Sequence, residues 1–251
     1  MLGLRQWWRR RAAARNPLPD PVWTDVVRST QLLQSLPEAQ RTELRKLVDL
    51  FLNDKDFYGA AGLEVERRMA AVIAAQACLP VLNLGYRWLS GWHSIYVYPG
   101  QFRTRRTYRD HNGLEYEDQR ALAGEAQHTG GLVFSWQDIE EDLAYPDDGA
   151  NVIIHEIAHK LDMQNGDADG YPPLHRGMAS DPWASAMQSA YDDLGRQLDA
   201  GVEPEIDPYA ATDPAEFFAV MSEYYFETPG HLAETYPAVF EQLQAFYHPR
   251  R

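Results

Sequence analysis

The sequence predicts an α+β fold, mostly helical, with a small β-sheet just before a buried helix. Three observations carry this reading. Apolar residues recur at helical spacing over long stretches, as in Leu44, Leu47, Val48, Phe51 and Leu52. Residues 94–99 (Ser-Ile-Tyr-Val-Tyr-Pro) and 130–136 (Gly-Gly-Leu-Val-Phe-Ser-Trp) are instead rich in β-branched and aromatic types, as strands are. After the second of these comes Asn151-Val152-Ile153-Ile154-His155-Glu156-Ile157-Ala158-His159-Lys160-Leu161-Asp162, a helical run apolar around most of its circumference.

Taken in order, residues 1–15 carry Trp7, Trp8 and five arginines (Arg5, Arg9, Arg10, Arg11, Arg15). No apolar run follows these charges, so they do not form a secretory signal. A basic aromatic tail of this kind could touch a membrane surface or an acidic partner, and a frayed arm is the expectation. Pro17, Pro19 and Pro21 block a regular helix, so 1–22 reads as a basic tail and Pro-rich linker. Residues 23–251 then read as a single domain, with an α+β part over 23–150 and a helical part over 151–251.

Within that domain, 23–36 is expected to be a short helix or an irregular docking segment. A helix follows over 36–53 and is broken by Gly59 and Gly62. The next, over 64–79, turns Met69, Val72, Ile73, Ala77 and Leu79 inward and stops at Pro80; Glu64, Glu66, Arg67 and Arg68 form its solvated first turn. Residues 102–125, charged and mixed, read as a loop or hairpin insertion. The acidic segment 138–148 leads into the helix at 151, which ends near Gln164-Asn165-Gly166. Asp181-Pro182 opens a helix to about 200. Asp213-Pro214 opens another, with Asp213 as N-cap and Pro214 in the first position. A final amphipathic helix spans 236–247. There is no internal repeat.

At 251 residues, with 45% hydrophobic and 24% charged side chains, the chain can bury a substantial core. A net charge of −14 excludes general affinity for nucleic acid or anionic lipid, both polyanions. No stretch is apolar for long enough to span a membrane. The single cysteine, Cys78, cannot form an intrachain disulfide. It lies in an apolar run, where a small buried hydrophobe is expected, and it suits a reducing, cytoplasmic setting.

The chemistry is concentrated in His155-Glu156-x-x-His159. Helical residues advance by about 100°, so the two histidines lie about 40° apart on one face, one turn apart. Imidazoles so placed can hold one cation, with Glu156 facing a bound water. Two hydrogen-bonded core histidines would show the same letters, but ionisable residues in so apolar a helix need a reason to be there. A catalytic zinc site usually takes three protein ligands. The third is sought in the apolar helix opened by Asp213, where Glu216 and Glu223 are seven residues apart and share a face. Helical geometry does not choose between them, although the macrodipole favours an anion at Glu216 in the first turn. His93, His111, His128, His175, His231 and His248 lack ligand spacing. Asp167, Asp169 and Gly170 hint at a calcium loop but lack its full spacing and its closing glutamate.

Longer motifs carry a resemblance. His155-Glu156-x-x-His159-Lys160-Leu161-Asp162-Met163 with Asn165-Gly166-Asp167 is followed by Tyr209-Ala210-Ala211-x-Asp213-Pro214-Ala215-Glu216-x-Phe218-Ala219-Val220-x-Ser222-Glu223-Tyr224. Together these closely resemble the Mlc titration factor A family, bacterial cytoplasmic zinc metallopeptidases of the gluzincin type. The likeness extends to Cys78-Leu79-Pro80-Val81-Leu82, to the strand ending Tyr98-Pro99 and to the stretch from Val133 to Trp136, and so covers about 30–247. The catalytic domain of anthrax lethal factor is similar at Glu216-Phe217-Phe218-Ala219, and it too has a tyrosine seven residues earlier, where this chain has Tyr209.

The resemblance implies a zincin-like fold with one Zn2+ per chain, held by His155, His159 and Glu216. It implies Glu156 as general base and then general acid, and an aminopeptidase-like action on peptides. Tyr209 is the candidate donor to the oxyanion, against a plain role at the rim. Residues 131–136 could pair edge-on with an extended peptide, or lie inside the sheet. Asp162 could brace a ligand imidazole, or instead cap the helix C-terminus or form a salt bridge. The family is named for sequestering the glucose-system repressor Mlc, which implies a Mlc-type repressor as partner and a link to the sugar phosphotransferase system. The competing reading is a non-catalytic, zinc-stabilised, repressor-titrating binding protein. Such a scaffold needs the ligands but not Glu156, so Glu156 favours the enzyme.

Overall fold

The computed structural model describes residues 16–100 and 130–249 in full, and the backbone of short strands at 102–103, 106–109, 115–118, 121–122 and 124–126. The basic tail over 1–15, His111 and His128 lie outside the described residues. Helices α1 (Asp20–Ser29), α2 (Gln31–Ser35) and α3 (Glu38–Asp54) come first, followed by β1 (Asp56–Gly59) and α4 (Arg67–Cys78). Next come β2 (Ser94–Tyr98), β3 (Phe102–Arg103), β4 (Arg106–Arg109), β5 (Glu115–Asp118), β6 (Ala121–Leu122), β7 (Gly124–Ala126) and β8 (Leu132–Ser135). The remainder is helical: α5 (Trp136–Ala144), α6 (Val152–Asp162), α7 (Ser180–Asp199), α8 (Pro214–Glu227), α9 (Pro229–Thr235) and α10 (Pro237–Tyr247). This is the expected α+β architecture. Among the described residues no helix is long and apolar enough to cross a membrane.

One residue of the Pro-rich approach, Leu18, reaches the core, while Pro17, Pro19 and Pro21 stay exposed. Leu18 is buried, its N–H donates to Asp49 (2.8 Å), and Arg45 holds its carbonyl from below (2.9 Å). Arg68 donates to Asp25 (2.6 Å) and Arg67 to the Pro17 carbonyl (3.2 Å), so these two arginines of α4 tie α1 and its approach to the body. From Met69 to Cys78 every residue of α4 is buried. Its many alanines let neighbouring helices approach closely, and Cys78 is a small hydrophobe there, as expected.

The main sheet runs β1-β2-β8-β7, with β1, β2 and β8 parallel and β7 antiparallel. The spacing of apolar residues gave no sign of β1, whose four residues are too few for a period-two pattern to register. Its pairing comes from the partner strand, with Phe57 opposite Ile95. β8 is interior, hydrogen-bonded on both sides, so the edge-pairing option for residues 131–136 falls. Trp136 is likewise not strand but the first residue of α5, where Ser135 caps the helix by accepting from the Asp138 N–H (3.3 Å). Gly131 is required at the entry to β8, because a Cβ there would stand 2.6 Å from the Ser94 carbonyl carbon. In the 102–125 insertion, β4 and β5 form an antiparallel pair, in keeping with a hairpin.

The core on which α6 and α8 rest is aromatic. Trp183, Phe218 and Phe246 meet with ring centroids 5.7–6.1 Å apart and are fully buried. Each such ring stabilises the fold by roughly 1.5–3 kcal/mol through the apolar surface it removes from water.

Candidate metal centre

Nine of the eleven residues of α6 are buried. Asn151 caps the helix by accepting from the Ile154 N–H (3.0 Å). One turn in, His155 and His159 stand with ring centroids 4.8 Å apart and nearly perpendicular, and their Nε2 atoms are 3.1 Å from each other. Glu156, between them in sequence, is 4% exposed.

The third group arrives on α8. Asp213 accepts from the Glu216 N–H (2.9 Å) and Pro214 occupies the first position, as the sequence predicted. This fixes the helix start so that Glu216 Oε2 lies 3.0 Å from His155 Nε2 and 3.2 Å from His159 Nε2. Burial pushes the Glu216 carboxyl up, but the hydrogen bonds from both imidazoles outweigh it and hold the group well below its ordinary value. Burial likewise opposes charge on His155, yet the neighbouring carboxylates, Glu223 foremost, raise it well above the usual histidine range.

Glu223 takes the other side of the same ring. Its Oε1 is 2.7 Å from His155 Nδ1, and its Oε2 accepts from the Asn151 N–H (2.6 Å). Asn151 Nδ2 donates to Gln76 (2.6 Å) and Glu227 (2.7 Å), while the Val152 N–H donates to Asp142 (2.9 Å). Burial is the main cause that lifts Asp142 to about 8 and Glu227 to about 7, with neighbouring carboxylates adding to it. Sequence reasoning missed this network. An asparagine directly before an apolar helical run was a readable signal for Asn151. Gln76, Asp142 and Glu227 come from other helices, and nothing local marks them.

Tyr209 lies in a 3-10 turn, Pro208–Ala211, whose start is capped by Asp207 accepting from the Tyr209 N–H (2.9 Å). The Tyr224 hydroxyl on α8 accepts in turn from the Asp207 N–H (3.2 Å). The Tyr209 ring is 6.1 Å from the His155 ring, and it is 37% exposed, so it stands at the rim. Burial first, then the charge of Glu216 and the hydrogen bond to it, push its phenol well above the ordinary range, which keeps it a donor.

The other candidates take structural roles. Asp162 accepts from the Gly170 N–H (2.7 Å), and no hydrogen bond joins it to His159, whose Nδ1 is buried without a partner among the described residues. His175 meets the Phe246 carbonyl (2.8 Å), His231 the Glu205 carbonyl, His93 the Asp54 carbonyl and His248 the Asn83 amide. Asp169 accepts from the Tyr171 N–H (3.0 Å) in a local turn. Among the described residues, His155, His159 and Glu216 form the group of three potential ligands whose donor atoms converge.

Residues 4–248 match the family model described as glucose-regulated metallo-peptidase M90. The chain belongs to this family. It is 37% identical over 245 residues to Mlc titration factor A of Escherichia fergusonii, covering 96% of this chain and 90% of that one. Proteins of the same name from Cronobacter sakazakii (35% over 243 residues, 96% and 89%) and Salmonella arizonae (36% over 245 residues, 96% and 94%) are similarly close.

A metallo-peptidase of the M90 family calls for an ion, and the donor set here fits one. His155 Nδ1 lies 2.7 Å from the Glu223 carboxylate, a partner that a ring N–H there satisfies. Its Nε2 lies 3.0 Å from an oxygen of the Glu216 carboxylate, a second acceptor at the other end of the ring. A proton or a cation has to come between them. Donors around a tetrahedral ion with ~2.0–2.1 Å bonds are about 3.3 Å apart, close to the 3.0–3.2 Å edges observed.

Proposed function

We propose that this M90 chain is a zinc-dependent peptidase, with His155, His159 and Glu216 as ligands and Glu156 as general base. The observation that carries the reading is the convergence of two imidazole Nε2 atoms and one carboxylate oxygen beside a buried glutamate. When bound, zinc supplies Lewis acidity, acidifying water towards a pKa of ~7 and polarising a carbonyl. Glu156 accepts the proton released by the attacking water and delivers it to the leaving amine. The Tyr209 hydroxyl donates to the carbonyl oxygen as it gains charge. Glu223 holds His155 in the tautomer whose Nε2 can ligate. We assign the gluzincin type, since the third ligand is a glutamate on a separate helix. An aminopeptidase-like action on peptides in the cytoplasm follows from the same resemblance.

Glu156→Gln tests the base assignment. The variant should bind zinc and fold as the parent does while peptide hydrolysis falls by two or more orders of magnitude. Hydrolysis at the parental rate would remove Glu156 from the mechanism.

The name shared by the relatives supports a second role, titration of a Mlc-type repressor, which would place the chain in transcriptional control of the sugar phosphotransferase system. A purely binding function needs the ligands alone. Repressor capture by Glu156→Gln at parental strength, with no peptide turnover by the parent, would favour the binding role over the enzyme.

A further inference from the structure

His159 and Glu216 are 57 residues apart in sequence, so the alignment of their donor atoms depends on how the ends of α6 and α8 are held together. One short loop touches both ends. Asp162, the last residue of α6, is fully buried three residues after His159, and its carboxylate accepts from the Gly170 N–H (2.7 Å). The Gly170 carbonyl accepts from the Trp183 indole (3.3 Å), which anchors the loop to α7. Gly170 itself sits at φ +78, where glycine is favoured, and its open side faces Pro214. A Cβ at this position would stand 2.9 Å from the Pro214 carbonyl carbon, 3.3 Å from its Cβ and closer still to its carbonyl oxygen. Pro214 is the first residue of α8, and Asp213 caps the Glu216 N–H, so displacement of Pro214 is passed to Glu216 two residues on.

We propose that the 163–171 loop is a strap that sets the position of Glu216 against His155 and His159, with Asp162 and Gly170 as positioning residues. It rests on reading those three side chains as the metal site. Donor atoms must hold their geometry to within about 0.5 Å, and a side chain at 170 forces a larger shift at the start of α8. The absence of a side chain at 170 is therefore as much a part of the site as the carboxylate that it positions.

The test is zinc affinity, measured by competition with a chromophoric chelator, alongside thermal unfolding of the zinc-free protein. Gly170→Ala and Asp162→Ala are each made in the parent and in a Glu216→Ala background, which keeps the two imidazoles. Gly201→Ala is the control, since Gly201 also has positive φ (+67) but nothing within 4 Å of its would-be Cβ. Both strap variants should weaken zinc binding tenfold or more in the parent and less than twofold once Glu216 is gone, and Gly201→Ala should leave it unchanged. Parental affinity in both strap variants, or equal losses in the two backgrounds, overturns the strap while leaving the metal site standing. A parent that binds no zinc sinks the metal site itself. Should Gly170→Ala fail to fold, Asp162→Asn, which keeps an acceptor oxygen, should retain near-parental affinity where Asp162→Ala loses it; equal loss in both overturns the proposal.

Discussion

Glu216 and Glu223 stand on the same helix, seven residues or roughly 10 Å apart along its axis, and both reach His155. They meet opposite ends of the ring. Glu216 faces Nε2 and a second imidazole, in a first turn opened by a capping aspartate and a proline. Glu223 faces Nδ1 and also grips the N–H of Asn151 at the start of α6. The same chemical group thus becomes a donor to a shared centre in one place and a brace for an imidazole in the other. Position relative to the two imidazole nitrogens makes the difference, since both carboxylates are largely buried.

The largest effect should separate these two positions. Glu216→Ala removes one of three donors, and zinc should no longer co-purify or survive gel filtration at stoichiometric level. Glu223→Ala should retain zinc with an affinity ~10–100-fold weaker, the usual cost of losing a brace behind a ligand histidine. Zinc kept by Glu216→Ala and lost by Glu223→Ala would exchange the two roles. Next in size is Tyr209→Phe, which should lower kcat by ~100-fold with zinc content unchanged, because one donor to the developing oxyanion is lost. An unchanged kcat would leave Tyr209 as a rim residue only.

A smaller effect tests the far side of Glu223, where Asn151 joins it to Glu227. The Glu227 carboxyl is raised from 4.5 to about 7, so the folded protein keeps a proton that the unfolded chain has released across that window. Its contribution to stability is present below pH 4.5 and is lost as pH rises through 7. The melting temperature of the zinc-free protein should therefore fall from pH 5 to pH 8. Glu227→Gln should flatten that fall by an amount worth on the order of 1–3 kcal/mol. Parallel slopes for the two proteins would show that Glu227 titrates normally.

The legibility of this molecule follows the range of the interactions concerned. Helices were readable wherever apolar spacing persisted for three turns, as over Glu38–Asp54, Arg67–Cys78 and Ser180–Asp199. Ends shifted by a few residues, and α5 and α9, nine and seven residues long, went unseen. β1 was missed because its pairing with β2 comes from outside its own sequence. Asp162 offered two roles to the reader of the sequence, and the fold gave it a third partner, the Gly170 N–H.

From its residues alone the chain dictates that His155 and His159 share one face of a buried helix, because 3.6 residues per turn leaves no other arrangement. Asp213 and Pro214 similarly dictate where α8 begins. The spacing left Glu216 and Glu223 equivalent, both being on a similar face of that helix. Only the packing of α8 against α6, held by the aromatic core and by contacts at both ends of α6, sets one carboxylate at Nε2 and the other at Nδ1. Periodicity is a property of one helix, whereas a three-donor centre depends on the relative placement of two.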